Sequence, residues 1–355
     1  MQIRRILVLT AVFAFVVGAL PMAAQKNDNK NQPPKRSKAE QQDVDVTVAV
    51  VDRVGTAQMP APADLALTWD FNHFTKGQEG QTYVPFTLTV DKTLASKQVA
   101  YYVRVVEKGA PLVAPAPDPK AKDAKEAAPA RPNFPWERIS FTQVPASGKM
   151  SRALVLKPGE YDAYFVIKEK YTAEVKDLAK QPLPKVAFLK RELSVPDFNT
   201  AELKMSSVIL ASTVEPLTAP LTPAQLEEAP YGVFGAMKIE PSPDGKFAKS
   251  GEFNLVFFVY GAGDAGAGKP NVTLDYSFYQ KQGEGEKYFN KTAPQDLNGT
   301  TLPPDFSVAA GHQVPGMLSI PLASFPAGDY RLEIKVTDKV TNKTVTQSVS
   351  FTVNA

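Results

Sequence analysis

Hydrophobic and polar residues alternate along most of this chain with a period of two. Val44-Asp45-Val46-Thr47-Val48, Phe86-Thr87-Leu88-Thr89-Val90 and Tyr101-Tyr102-Val103-Arg104-Val105 are typical, being rich in β-branched and aromatic residues. That pattern predicts half-buried strands. Further strands are predicted at 139–144, 153–156, 161–167, 186–195 and 208–211, then at 236–239, 253–260, 272–279, 316–322, 330–338 and 345–353. No stretch reads as an apolar 3.6-residue period sustained for three turns, so the expectation is all-β. In 330–338, Tyr330, Leu332, Ile334 and Val336 should face a core, and Arg331, Glu333, Lys335 and Thr337 should face water.

Four segments break the alternation. Arg4 and Arg5 precede an apolar run from Ile6 to Leu20 that ends in Pro21 and small residues, which predicts a secretory signal peptide over 1–24. The run is too short for a stable span after cleavage. Residues 25–42 offer almost nothing to bury and are expected to be a disordered tether. Residues 109–135 hold seven prolines and eight alanines, which predicts an exposed insertion between two strands. Near 214–230, Thr222-Pro223-Ala224-Gln225 has the form of a capping box with proline at the first helical position, so a short helical turn is expected in a linker. The predicted organisation is therefore a sandwich over 43–213, that linker, and a second sandwich over 231–355.

The two halves share features. Leu156-Lys157-Pro158-Gly159-Glu160-Tyr161 and Phe325-Pro326-Ala327-Gly328-Asp329-Tyr330 both place a Pro/Gly turn and an acid before a strand-opening tyrosine. Tyr161 and Tyr330 are predicted tyrosine corners, whose hydroxyls bond backbone where the chain passes between sheets. Phe86-x-Leu88-x-Val90 and Phe253-x-Leu255-x-Phe257 precede them at a nearly equal offset, which suggests a repeated unit.

On these residues the chain resembles tandem immunoglobulin-like or fibronectin type III-like sandwich modules of exported bacterial proteins. Leu193-Ser194-Val195-Pro196-Asp197-Phe198 followed by Met205-Ser206-Ser207-Val208-Ile209-Leu210 is loosely similar to uncharacterised envelope proteins associated with the GWxTD domain, although that tetrad is absent. The resemblance implies a sandwich fold and a periplasmic or extracellular role, and no catalytic residues.

Composition narrows the chemistry. The 355 residues include no cysteine and two histidines, His73 and His312, which leaves no disulfides or thiol chemistry and little material for a metal centre. Of 40 basic side chains only Arg4 and Arg5 fall within 1–24, leaving 38 against 37 acids, too even a balance for nucleic acid. Gly261-Ala262-Gly263-Asp264-Ala265-Gly266 matches G-x-G-x-x-G, but a strand rather than a helix should follow it. Neither G-x-S-x-G nor D-x-D-x-D is present; Asp244 and Asp338 sit in turns where calcium could bind. Phe278, Tyr279, Tyr288 and Phe289 flank a hairpin tip at 280–287, and Tyr279, Tyr288 and Phe289 are the candidate contact residues. The expectation is a non-enzymatic envelope module without cofactor, its partner a protein or polysaccharide. The alternatives are a carbohydrate-binding accessory protein using exposed aromatics, and a hydrolase with an unrecognised carboxylate pair.

Overall fold

The structure, a computed structural model, describes residues 36–112, 132–217, 219, 221–233 and 237–355. The predicted leader, the tether up to residue 35 and residues 113–131 of the insertion lie outside the described residues. Along the chain run α1 (Lys38–Gly55), β1 (Leu67–Asn72), β2 (Thr75–Lys76), β3 (Thr82–Val90), β4 (Gln98–Glu107), β5 (Trp136–Gln143), β6 (Lys149–Leu156), β7 (Gly159–Glu169) and β8 (Ala187–Val195). There follow β9 (Lys204–Met205), β10 (Ile209–Pro216), α2 (Pro223–Glu228), β11 (Met237–Pro241), β12 (Lys246–Ala248), β13 (Glu252–Tyr260), β14 (Val272–Gln282) and β15 (Gly285–Lys291). The last are β16 (Gln295–Leu297), β17 (Val314–Pro321), β18 (Gly328–Asp338) and β19 (Lys343–Asn354). The described residues are all-β apart from α1, α2 and short 3-10 turns, as the alternation predicts.

Two compact units form, and their division departs from the expected one. Among the described residues the N-terminal unit runs to Asn72 and from Gln81 to Pro196; the C-terminal unit takes His73–Gly80 and Asp197–Ala355. The boundary thus lies at 196/197 rather than in 214–230. β9 and β10, assigned by sequence to the first sandwich, pair with β13 in the second. The expected linker is part of that unit too. Its helical turn is α2, where the Thr222 hydroxyl accepts from the Gln225 amide and the Gln225 side chain accepts from the Thr222 amide.

In the N-terminal unit, β1-β3-β6 form one antiparallel sheet and β5-β4-β7-β8 the other. Trp69, Phe86 and Phe165 join them: Trp69 stacks on Phe86 at 4.7 Å, and Phe165 meets both rings. Leu88, Val90 and Leu154 fill the same interior. In the C-terminal unit, β10-β13-β17 carries β11 on its edge, and β19-β18-β14-β15 carries β12. Phe253, Leu255 and Phe257 of β13 pack on Leu274, Tyr276 and Phe278 of β14 and on Tyr330, Leu332, Ile334 and Val336 of β18. Those four β18 residues are fully buried, so the predicted register holds. Strand for strand, the pairing order β1-β3-β6 matches β10-β13-β17, and β8-β7-β4-β5 matches β19-β18-β14-β15.

The largest correction concerns residues 36–55. Val44–Val48 form no strand and 38–42 no tether; both belong to α1, with Ser37 as its N-cap. Ser37 and Glu40 close a capping box at its start, the Ser37 hydroxyl accepting from the Glu40 amide at 3.2 Å. The buried residues Ala39, Asp43, Val46, Thr47, Val50 and Val51 recur at helical spacing on one side. That side covers the outer face of β5-β4-β7-β8, where Val50 and Val51 pack with Tyr102, Val106, Tyr164 and Val166. Burying each such aliphatic side chain stabilises by roughly 1.5–3 kcal/mol. The helix makes this unit three layers deep and explains why β4 and β7 are buried on both faces.

Candidate functional site

Two-residue periodicity places neighbouring aromatics on opposite faces, and the β14–β15 hairpin sorts its four accordingly. Phe278 is buried in the core. Tyr279 stands on the outer face, opposite Tyr288 of β15. Their rings meet edge to face, with centroids 5.9 Å apart. The pairing shifts by one residue between Tyr279 and Phe278, and Phe289 occupies the resulting bulge. Its ring turns inward against Phe325 at 4.8 Å and Tyr330 at 5.5 Å. The structure therefore brings Tyr279 and Tyr288 together on one surface and removes Phe289 from it; the bulge is the reason.

Arg331 of β18 completes the arrangement. Its guanidinium lies 4.3 Å from the centre of the Tyr279 ring. Its Nε donates to Glu286 at 2.7 Å, and Nη1 donates to Glu333 and to the Ser348 hydroxyl, both at 3.1 Å. The hydrogen bond to Glu286 raises the arginine's pKa above its ordinary value, overcoming a smaller opposing effect of burial. Tyr288 remains 52% exposed, the most exposed large apolar side chain among the described residues. The result is an aromatic platform on a polar sheet face, with a guanidinium and two carboxylates locked beside it.

The equivalent face of the N-terminal unit gives an internal comparison. Glu107 pairs with the corner Tyr161, and Gln280 with the corner Tyr330. Counting back along β4 and β14 from those pairs aligns Val106 with Tyr279, Arg104 with Ser277, and Tyr102 with Asp275. Val106, Arg104 and Tyr102 are buried beneath α1. Arg104 donates from Nη1 to Asp52 of the helix at 2.5 Å and to the Leu112 carbonyl at 3.0 Å, and from Nε to the Tyr102 hydroxyl at 2.8 Å. Lys168 pairs with Asp43, the other helix anchor, and donates to the Glu169 carbonyl at 2.7 Å. Burial holds the Lys168 ammonium below the usual lysine pKa, against the pull of Asp43. Sequence reasoning missed both pairs; the available signal was Asp43, which shares a helical stripe with Ala39, Val46, Thr47 and Val50.

Both tyrosine corners are built. The Tyr161 hydroxyl donates to the Lys157 carbonyl at 3.0 Å, and the Tyr330 hydroxyl to the Pro326 carbonyl at 2.7 Å. Other polar candidates are committed to the fold. His73 Nδ1 lies 2.9 Å from the Tyr231 hydroxyl, and burial lowers its pKa to about 4. His312 Nδ1 accepts from the Ser307 amide at 3.0 Å. Asp338 is buried; although burial favours its neutral form, bonds from Thr341, Gly263 and Val340 lower its pKa. Asp244 accepts from the Lys246 amide. The glycine loop runs into strand β14, and Lys269 donates to the Pro303 and Pro304 carbonyls. No group of three or more metal-ligating side chains occurs among the described residues.

No protein-family model matches this chain, and no characterised protein matches it by sequence. Among solved structures it is similar to trypsin-activated alpha-2-macroglobulin from Escherichia coli, at 10% identity and a TM-score of 0.22, over 83% of this chain and 17% of that one. The chain spans less than a fifth of that protein's length.

Proposed function

We propose that this protein is an exported, non-catalytic binding or structural module of the cell envelope, made of a duplicated immunoglobulin-like sandwich. One observation carries the reading: the side chains that catalysis would recruit are used to hold the fold, while an aromatic platform is left on an otherwise polar sheet. His73, His312, Asp338 and Lys269 each hold a turn, a loop or a neighbouring strand. Tyr288 alone among the aromatic residues of that hairpin is left mostly to solvent. The basic start, apolar run and small-residue end of 1–24 support export, and the shared strand order and paired corners support duplication.

Fractionation of a bacterium expressing the full chain tests this directly. The mature protein should appear outside the cytoplasm with a new N-terminus near Gln25, and purified material should hydrolyse no ester, peptide or glycoside reporter. Retention in the cytoplasm with residues 1–24 intact would refute export, and turnover by pure protein would refute the non-catalytic role.

A further inference from the structure

We infer that the Tyr279–Tyr288–Arg331 surface binds a neutral pyranose polysaccharide. The inference rests on the reading of the protein as a binding module and gives that module a ligand class.

Four observations lead there. The matching face of the N-terminal unit is closed by α1, yet the C-terminal face carries no such cover among the described residues, and a tyrosine stands where the other unit has buried Val106. Tyr288 exposes half of its surface although Phe289 beside it fills the core. The exposed ring packs on Tyr279 rather than in the core. Beside the rings, Arg331 and its partners Glu286, Glu333 and Ser348 gather donors and acceptors into one polar cluster. Finally, Arg331 is already engaged by two carboxylates, Glu286 and Glu333, which weakens its pull on a polyanion.

A pyranose has the complementary chemistry. Its C–H face can lie on an aromatic ring, while its equatorial hydroxyls exchange hydrogen bonds with planar guanidinium and carboxylate groups. Here those groups are already held by one another, so binding need not order them first. Uncharged sugar hydroxyls both donate and accept, and so match a mixed network better than an ionised phosphate or carboxylate group, which would also be repelled by Glu286 and Glu333.

Native affinity electrophoresis of the full chain tests the inference in gels containing mixed-linkage β-glucan, galactomannan or dextran, with polygalacturonate and heparin as anionic arms. Retardation is expected in at least one neutral gel and in neither anionic gel. Tyr288→Ala should weaken it about tenfold or more, and Tyr288→Phe, which keeps the ring, should retain most of it. The Tyr288 side chain is mostly solvent-exposed, so the circular dichroism of both variants should match the parent. No retardation in any neutral gel, retardation by the anionic polymers alone, or full binding by Tyr288→Ala would each overturn the inference. Cross-linking to an envelope protein with no glycan binding would end it too, while leaving the binding-module reading in place.

Discussion

Removing Asp43 should unfold the N-terminal unit far more readily than its single carboxylate suggests. Asp43 and Lys168 are almost completely buried, and the Asp43 carboxylate also accepts from the Tyr171 amide at 3.2 Å. In Asp43→Ala the ammonium keeps only the Glu169 carbonyl and the Tyr171 ring, 3.5 Å away. An uncompensated buried charge costs about 3–5 kcal/mol, and a domain of this size has roughly 5–15 kcal/mol in total. Both tryptophans, Trp69 in β1 and Trp136 in β5, lie in this unit, so tryptophan fluorescence reports on it alone. With a urea slope of about 2 kcal/mol per molar, the midpoint should fall by roughly 1.5–2.5 M. Asp43→Leu/Lys168→Met, which removes both charges, should recover most of that loss. The pH dependence has a fixed sign. Burial lowers the Lys168 pKa and Asp43 opposes it, so in Asp43→Ala that pKa falls further below the unfolded chain's and the variant gains more stability than the parent as pH rises towards about 10.5. The Asp43→Ala deficit should therefore shrink with rising pH in that window. A single mutant within about 0.3 M of the parent, or a double mutant no better than the single, would refute the claim that the pair anchors α1.

Three other outcomes are expected. His73 is held near pKa 4 by burial, below its ordinary 6.5, so the unfolded chain takes up the proton first. The C-terminal unit should lose up to about 3 kcal/mol as pH falls from 6.5 to 4, and His73→Gln should flatten that slope in acid titrations followed by tyrosine fluorescence. At Gly261, φ is +68° and a Cβ would stand 1.9 Å from the Glu202 carbonyl oxygen, so Gly261→Ala should cost at least about 2 kcal/mol in calorimetry. Tyr330→Phe should cost about 1 kcal/mol by denaturant unfolding through loss of the bond to Pro326; no loss would deny the corner its role.

Elements with a face towards water were legible in the sequence. β18 alternates without a break, and the Pro/Gly turn before each strand-opening tyrosine announces the corner hydrogen bonds seen at Tyr161 and Tyr330. Helix α1 was illegible for a physical reason. Its valines at 44, 46 and 48 alternate by chance, whereas its buried stripe includes Asp43 and Thr47. Those two look solvent-facing until Lys168, distant in sequence, is brought beneath the helix. The unit boundary was missed because β10, though it follows the first sandwich closely, hydrogen-bonds to β13 and thereby joins the second. At the candidate site, alternation alone separates Tyr279 from Phe278, but the inward turn of Phe289 depends on a bulge that no local composition marks.

The reverse turn at the tip of the β14–β15 ribbon acts as the gauge of the platform. Gln282 faces Gly285, so just two residues close the loop, and the first, Gly283, adopts φ +60°. From that point the rungs count off in order, and the fourth sets Tyr279 against Tyr288. Lengthening or shortening the loop would slide one ring past the other while the sandwich beneath stayed put. A lineage could retune what this hairpin grips by editing a tip that supports nothing else.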